Sequence, residues 1–415
     1  MHSAGFYAAF TNALDGAKVH RRAVFVVATA VAYGLPVFLA IAWTRNAANV
    51  AAIWPANGIL LAALLLSRRE TTWRLVLAAS LPVGAVAYLA NGDPWAAAAA
   101  FPVINAAEAY IAFRLLRRAC GRKVDFTSAW TVVTFSVVCL VAPLLPAAAG
   151  ALITFSGADV SYDAAFTTWY LSDTLGLLIL APAILLIWQR PRRMETAPPP
   201  ADVVRHFLLL TALSLVVFVH ASVPLLFLIV PVSVLIAFRL GPRHAAVATL
   251  WITVIALACT YQGWGPAAQM GDAETGVWVV QLFSFVNLLT SLAVAAEIAE
   301  RNRLRGELER VSQLADDRRR QLDTALDAMS QGVCLFDDQG RVVVRNSRFL
   351  EIYGLSEDMV PVGTSLAGLM TVCRAAGAVP ERHNDTVELN VDSDIEQQLV
   401  DGRHIRISQR VMSDG

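Results

Sequence analysis

Up to about residue 296 the apolar residues come in long, nearly unbroken blocks, without the three-to-four-residue spacing of a soluble amphipathic helix. About 20 apolar residues cross roughly 30 Å of hydrocarbon. Ten blocks meet or approach that length: 23–43, 47–66, 73–90, 95–115, 129–152, 165–188, 207–222, 224–238, 245–261 and 277–296. The seventh and eighth are short. Joined as one helix they would run about 48 Å, too long for one crossing, so they read as two crossings or as a hairpin.

Beyond residue 296 the pattern changes. Residues 297–329 form a charged helix that continues the last block without a breaker. Leu304, Leu308, Val311, Ala315, Leu322, Ala325 and Met329 follow a seven-residue seam, interrupted at Arg318. A parallel coiled coil between two protomers is expected; a solvated single helix laced with ion pairs is the alternative. Period-two strands follow at 332–336 and 341–345, joined by the turn Asp337-Asp338-Gln339-Gly340. A helix runs from Asn346 through Tyr353 to Gly354, and a second hairpin turns at Asp401-Gly402.

Composition sharpens this division. The 415 residues are 56% hydrophobic and 16% charged, against about 25% charged in soluble domains. The zero net charge hides a net of +6 through Ala296 and −6 from Glu297 onward. The expected organisation is a segment 1–22, a membrane domain 23–296, a signalling helix 297–329 and an α+β domain 330–415. The fold class is therefore mostly α, a polytopic bundle of eight to ten spans with a cytoplasmic helical linker and a small α+β domain. No basic–aromatic stripe points to nucleic acid. The five cysteines lack metal-ligand spacing and read as structural thiols. The N-terminus reads as a start anchor, not a removed signal peptide.

Basic residues concentrate in alternate connections: Lys18, Arg21 and Arg22; Arg68 and Arg69; Arg117, Arg118, Arg122 and Lys123; Arg190, Arg192, Arg193 and Arg205; Arg239 and Arg243; and the run after Glu297. The other connections carry Arg45 alone. The positive-inside rule then places both termini in the cytoplasm.

Polar residues within apolar blocks are the candidate functional residues. Trp54-Pro55-Ala56-Asn57-Gly58 lies in the second block. Trp169, Asp173 and Gly176 share one helix face in the sixth. Trp54, Asn57, Trp169 and Asp173 are the expected ligand-binding set, an outward-facing pocket with aromatic walls and an acidic floor. Pro55, Gly58 and Gly176 are expected to permit close helix packing. Interfacial anchoring by the tryptophans and simple helix–helix bonding by Asp173 are the plainer alternatives. Glu108, with Asn105 one turn earlier, and Asn287 are expected to couple the pocket to the output helix. His220 reads as a hydrated interface residue, and His383 and His404 as candidate cofactor ligands, with a surface or core role favoured for His404.

Two family resemblances follow from these motifs. Leu326-x5-Gly332-Val333-x-Leu335-x-Asp337-x-x-Gly340-x-Val342-x3-Asn346-x-x-Phe349-x-x-Ile352-x-Gly354 resembles the entry of a PAS sensor domain. Such domains close with a further strand, so the chain is expected to be a fragment of a longer protein. Trp54–Gly58, the Trp-x3-Asp-x-x-Gly of 169–176 and Phe-Arg-x-Gly-Pro-Arg at 238–243 together resemble a MASE-type membrane sensor domain, class one. Members of that family usually have about eight spans, which makes 207–238 the expected place of disagreement.

The resemblance implies an input module for cyclic-di-GMP turnover or, second, a histidine kinase. A homodimer in the lipid bilayer with a small-molecule ligand is expected. The alternative is a secondary transporter with a regulatory domain. Nucleotide-binding, zinc-protease, cyclase and phosphodiesterase motifs are missing from the sequence, and 297–329 contains no histidine to accept a phosphoryl group. No catalytic residue, metal site or cofactor is expected in these residues, the PAS cofactor being left unassigned.

Overall fold

The computed structural model describes residues 2–44, 53–157, 161–188, 198–219, 225–270, 273–379 and 392–411. They divide into two compact units, Met1–Leu304 and Arg305–Gly415.

Among its described residues the first unit holds helices and the turns that join them, and no strand. In chain order it holds α1 (His2–Thr44), α2 (Pro55–Leu66), α3 (Glu70–Ala90), α4 (Trp95–Ala119), α5 (Ala129–Val141), α6 (Leu144–Gly157) and α7 (Tyr162–Leu175). A π-helical turn, Gly176–Leu180, leads into α8 (Ala181–Trp188), followed by α9 (Pro200–Val219), a 3-10 turn at Leu225–Leu228 and α10 (Ile229–Leu240). Then come α11 (Pro242–Tyr261), the short α12 (Gly265–Ala268) and the long α13 (Ala273–Asp327).

Among the described residues, eight helical stretches are long and apolar enough to cross a membrane: His20–Ala42, Glu70–Ala90, Trp95–Ala119, Ala129–Phe155, Tyr162–Trp188, Pro200–Val219, Pro242–Ala268 and Thr275–Asp327. Two of the ten blocks give shorter helices. The eighth block becomes Leu225–Leu240, at the expected place of disagreement. The second becomes Pro55–Leu66, which the hydropathy pattern did not anticipate. Its 12 residues span about 18 Å at 1.5 Å each. Pro55 explains the late start: proline suits the first helical turn, and Trp54 before it is non-helical, at φ −104° and ψ 87°. The start of that block, 45–52, lies outside the described residues.

The short helix is enclosed on every side. Ala56, Asn57, Gly58 and Leu60 through Leu64 are buried, and α2 packs against α1, α3, α4, α8 and the π turn. By contrast Val24, Val27, Val31 and Leu35 of α1 face outward, the apolar stripe that lipid requires. Two apolar cores result. One joins α1 through α8 with Leu288, Leu292 and Ala296 of α13; the other joins α9 through α12 with Val280.

The second unit begins in the later part of α13. An antiparallel hairpin pairs β1 (Cys334–Phe336) with β2 (Val342–Arg345), in register Cys334↔Arg345 with a bulge at Leu335/Phe336. Then come α14 (Ser347–Tyr353), a 3-10 turn at Glu357–Met359 and α15 (Leu366–Ala375). The closing hairpin pairs β3 (Ser393–Gln398) with β4 (His404–Gln409), from Ser393↔Gln409 to Gln398↔His404. Local chemistry sets the helix ends. Asn346 Oδ1 accepts from Phe349 N at 2.9 Å as the N-cap of α14, and Gly354 ends that helix at φ +66°. Val342, Leu350, Val360, Leu369, Cys373 and Val379 form the core.

Candidate functional site

The site is built where the short helix α2 meets α7. Trp54 N–H donates to Ser172 O at 3.2 Å, so the residue before α2 is pinned to the neighbouring helix. Two glycines set the approach. A Cβ on Gly58 would collide with the Gly176 carbonyl, and one on Gly176 with the carbonyl of Trp54. Backbones this close are available only to glycine. Gly176 also opens the π turn, and Pro182 beyond it has no N–H to close an α turn.

This docking brings Asn57 to Asp173. Asn57 Nδ2 donates to Asp173 Oδ1 at 3.4 Å, both residues buried. From α4, Glu108 faces the same point, beside both Asp173 and Asn57. Glu108 Oε1 and Oε2, Asp173 Oδ2 and Asn57 Oδ1 have no partner of hydrogen-bonding geometry. The buried residues of charged type among those described are Glu108, Asp173 and His206; none is Lys or Arg. His206 lies on α9, its Nδ1 2.6 Å from Asp202 O.

One turn before Glu108, Asn105 is fully buried beside the hydroxyls of Tyr33 and Tyr88. Neither amide atom of Asn105, nor Tyr33 Oη, has a partner of hydrogen-bonding geometry. Burying unpaired polar atoms costs about 1–3 kcal/mol each.

Aromatic rings surround this polar centre. Trp54 stacks on Tyr88 at 6.0 Å, Tyr88 meets Phe101 at 5.2 Å, and Phe101 meets Trp169 at 5.1 Å. The expected set of Trp54, Asn57, Trp169 and Asp173 is thus gathered, with Phe101 and Tyr88 bridging the two tryptophans. Trp169 is fixed by its Nε1–H, which donates to Thr154 Oγ1 at 3.0 Å, whereas Trp54 Nε1 is unpartnered. All four are deeply buried, from 0% exposed at Asn57 to 5% at the tryptophans, so access to them requires helix movement.

The expected coupling pair divides. Glu108 joins Asp173, but Asn287 belongs to a separate polar seam between α13 and α11. There its Nδ2 donates to Thr249 Oγ1 at 3.2 Å, Thr249 meets Ser291 at 3.4 Å, and Thr253 donates to Ser284 at 3.0 Å. Tyr33, Tyr88 and Phe101 were missed from sequence. Their only signal was an aromatic within an apolar block, which core packing supplies equally well.

In the second unit, Asn346 Nδ2 donates to Leu326 O at 2.8 Å and to Gln331 O at 2.9 Å, and its Oδ1 accepts from Val333 N at 2.8 Å. Asp327 Oδ1 accepts from Ser347 N at 2.8 Å. These contacts lock the last turn of α13 to β1 and α14. Bonds from the Ser347 backbone and hydroxyl hold the Asp327 carboxyl below the usual carboxylate range. Burial pushes the thiols of Cys334 and Cys373 up to about 11, which keeps them protonated and unreactive near neutrality. His404 is exposed, while His383 and His220 lie outside the described residues.

Comparison with known families agrees with this division. The MASE1 family matches residues 22–302 and the PAS fold matches residues 326–415. No curated protein and no solved structure matches the chain significantly. The two matched domains are sensory rather than catalytic, and the eight apolar helices make this an integral membrane protein. An enclosed, polar-centred helical bundle leading into a PAS fold is a membrane signalling module, and the chain belongs to the MASE1 family.

Proposed function

We propose that the membrane unit is a receptor for a small cationic, donor-rich solute, bound at the Glu108–Asp173 pair within the aromatic frame of Trp54, Tyr88, Phe101 and Trp169. The observation that carries this is the buried acid pair, with no buried basic partner among the described residues. For two acceptor-only groups to hold each other, a proton or a cation has to stand between them, and an uncompensated buried charge is strongly destabilising. A positively charged ligand offers both the charge and the hydrogen-bond donors that Glu108, Asp173 and Asn57 Oδ1 lack. Aromatic faces further favour cations.

On this reading, ligand entry displaces α2 from α7 and shifts the bundle. The shift passes along α13 to the Asn346–Leu326 junction and changes the population of PAS states. Both termini lie in the cytoplasm, and the module works as a homodimer joined along the seam of α13. The effector it regulates is an enzyme of cyclic-di-GMP turnover or, second, a histidine kinase. The domain bounds are those read from the sequence: 23–296 for the sensor, 297–329 for the signalling helix and 330–415 for the PAS domain.

The test is thermal unfolding of the nanodisc-embedded chain titrated separately with putrescine, methylguanidine and sodium chloride. At least one organic cation should raise the unfolding temperature in the wild type, with no such rise in Asp173→Asn or Glu108→Gln. Equal responses in wild type and variants, or no response to any cation, would remove the proposal. A transporter reading draws on the short, enclosed helix α2 and the polar residues it carries; cation flux in proteoliposomes that Asp173→Asn abolishes would favour it over a receptor.

A further inference from the structure

A second constellation lies apart from the acid pair, where the start of α3 meets the end of α4. Glu70, Trp73, Phe113, Arg114, Arg117 and Arg118 line a groove of about 350 Å³. Its floor is aromatic: Trp73 lies 5.6 Å from Tyr110 and 5.7 Å from Phe113. Its rim is guanidinium. Arg114 sits 5.9 Å over the ring of Tyr110, and Arg117 sits 5.2 Å over Phe113. Stacking fixes the plane of a guanidinium while leaving N–H edges free to point outward.

Charge in the groove is unbalanced. Its one carboxylate, Glu70, is committed to Arg74 at 2.6 Å. No carboxylate among the described residues forms an ion pair with Arg114, Arg117 or Arg118, and Arg114 and Arg118 are exposed. Neighbouring loops add to the same sign. Arg117 Nη2 donates to Ser67 O at 3.3 Å, and Arg122 Nη2 to Arg68 O at 3.2 Å, which gathers Arg68 and Arg122 beside the groove.

Position decides which anion fits. The groove uses the first turn of one apolar span, Glu70–Ala90, and the last turns of the next, Trp95–Ala119. Span ends lie at the level of lipid headgroups, where tryptophan also concentrates. We propose that this groove binds the phosphodiester headgroup of an anionic phospholipid, with Arg114 and Arg118 on the phosphate and Trp73 and Phe113 against the glycerol and first acyl carbons. Arginine forks suit phosphate oxygens, and basic recesses between membrane helices are a recurrent way to hold acidic lipids.

The full-length chain, purified in mild detergent, would be titrated with phosphatidylglycerol or phosphatidylcholine and read by native mass spectrometry. The expected result is preferential retention of phosphatidylglycerol by the wild type. Retention should weaken at least tenfold, about 1.4 kcal/mol, in the Arg114→Gln/Arg118→Gln variant. The Arg114→Lys/Arg118→Lys variant should fall between, keeping the charge but losing the fork. Arg205→Gln, on α9, should match the wild type. Equal retention of both lipids, or an unchanged preference in the glutamine variant, overturns the proposal. So does displacement of the lipid by millimolar inorganic phosphate, which would identify a soluble anion as the occupant.

Discussion

Gly58 and Gly176 show how much a single missing methyl group decides. Each stands where a Cβ would strike a backbone carbonyl, which cannot swing aside as a flexible side chain can. Gly58→Ala should therefore lower stability by about 1–3 kcal/mol as an overpacking change. Gly306→Ala, on α13 with nothing within 4 Å of the added atom, should raise it by up to about 1 kcal/mol through helix propensity. Thermal unfolding of both variants in the same detergent tests the contrast; similar shifts would show that the close approach carries no packing penalty.

Asp327 offers a second residue-scale test. Its folded-state pKa is depressed by Ser347, so the junction gains from ionised Asp327 above the ordinary carboxylate range. That gain is lost as pH falls through the depressed value. The protection factor of the Ser347 amide, corrected for its intrinsic exchange rate, should be flat around neutrality and fall in acid. In Asp327→Asn the protection should already be weaker at neutrality and should lose that acid dependence. An identical pH profile in both proteins would assign the contact no role.

At the scale of elements, α13 and α2 pull in opposite directions. The long helix shows its heptad residues to solvent: Leu304, Leu308, Val311 and Leu322 are all more than half exposed. This row is the surface that the parallel partner proposed above would bury. Leu308→Asp combined with Val311→Asp should abolish cross-linking between protomers at cysteines introduced nearby, while leaving the monomer's helicity intact. Undiminished cross-linking would assign dimerisation elsewhere.

The short helix had the opposite fate. Its apolar block reads as a crossing because hydropathy counts residues and not turns, whereas Pro55 and the non-helical Trp54 restrict it to 12 helical residues. The C-terminal elements were far more legible. The hairpin turns, the Asn346 cap and the Gly354 stop all appear at the residues the pattern named, because caps and tight turns depend on local backbone chemistry.

For the whole molecule, the distribution of arginine makes a topological prediction. Cys120, at the end of α4, should react with a membrane-permeant maleimide only, in a variant lacking the other native cysteines. A cysteine placed at exposed Pro94, at the start of α4, should react with an impermeant maleimide added to intact cells. The reverse labelling would invert the assignment of faces and place the PAS fold on the wrong side for any cytoplasmic effector.

Sequence by itself determined that the chain is membrane-embedded, that a charged helix leaves the bundle and that a small α+β domain follows. Those features rest on composition and local period, which act over a few residues and survive in one dimension. It also named Trp54, Asn57, Trp169 and Asp173 together, because polar groups are costly in hydrocarbon wherever they pack. Tertiary structure alone decided that Glu108 faces Asp173, that Asn287 belongs to a different seam, and that Tyr88 and Phe101 bridge the tryptophans. Apolar helices in lipid can pair along many faces with similar energy, and hydropathy does not distinguish among them. The choice is made by close backbone approach at a few small residues and by polar atoms that must find one another across the bundle.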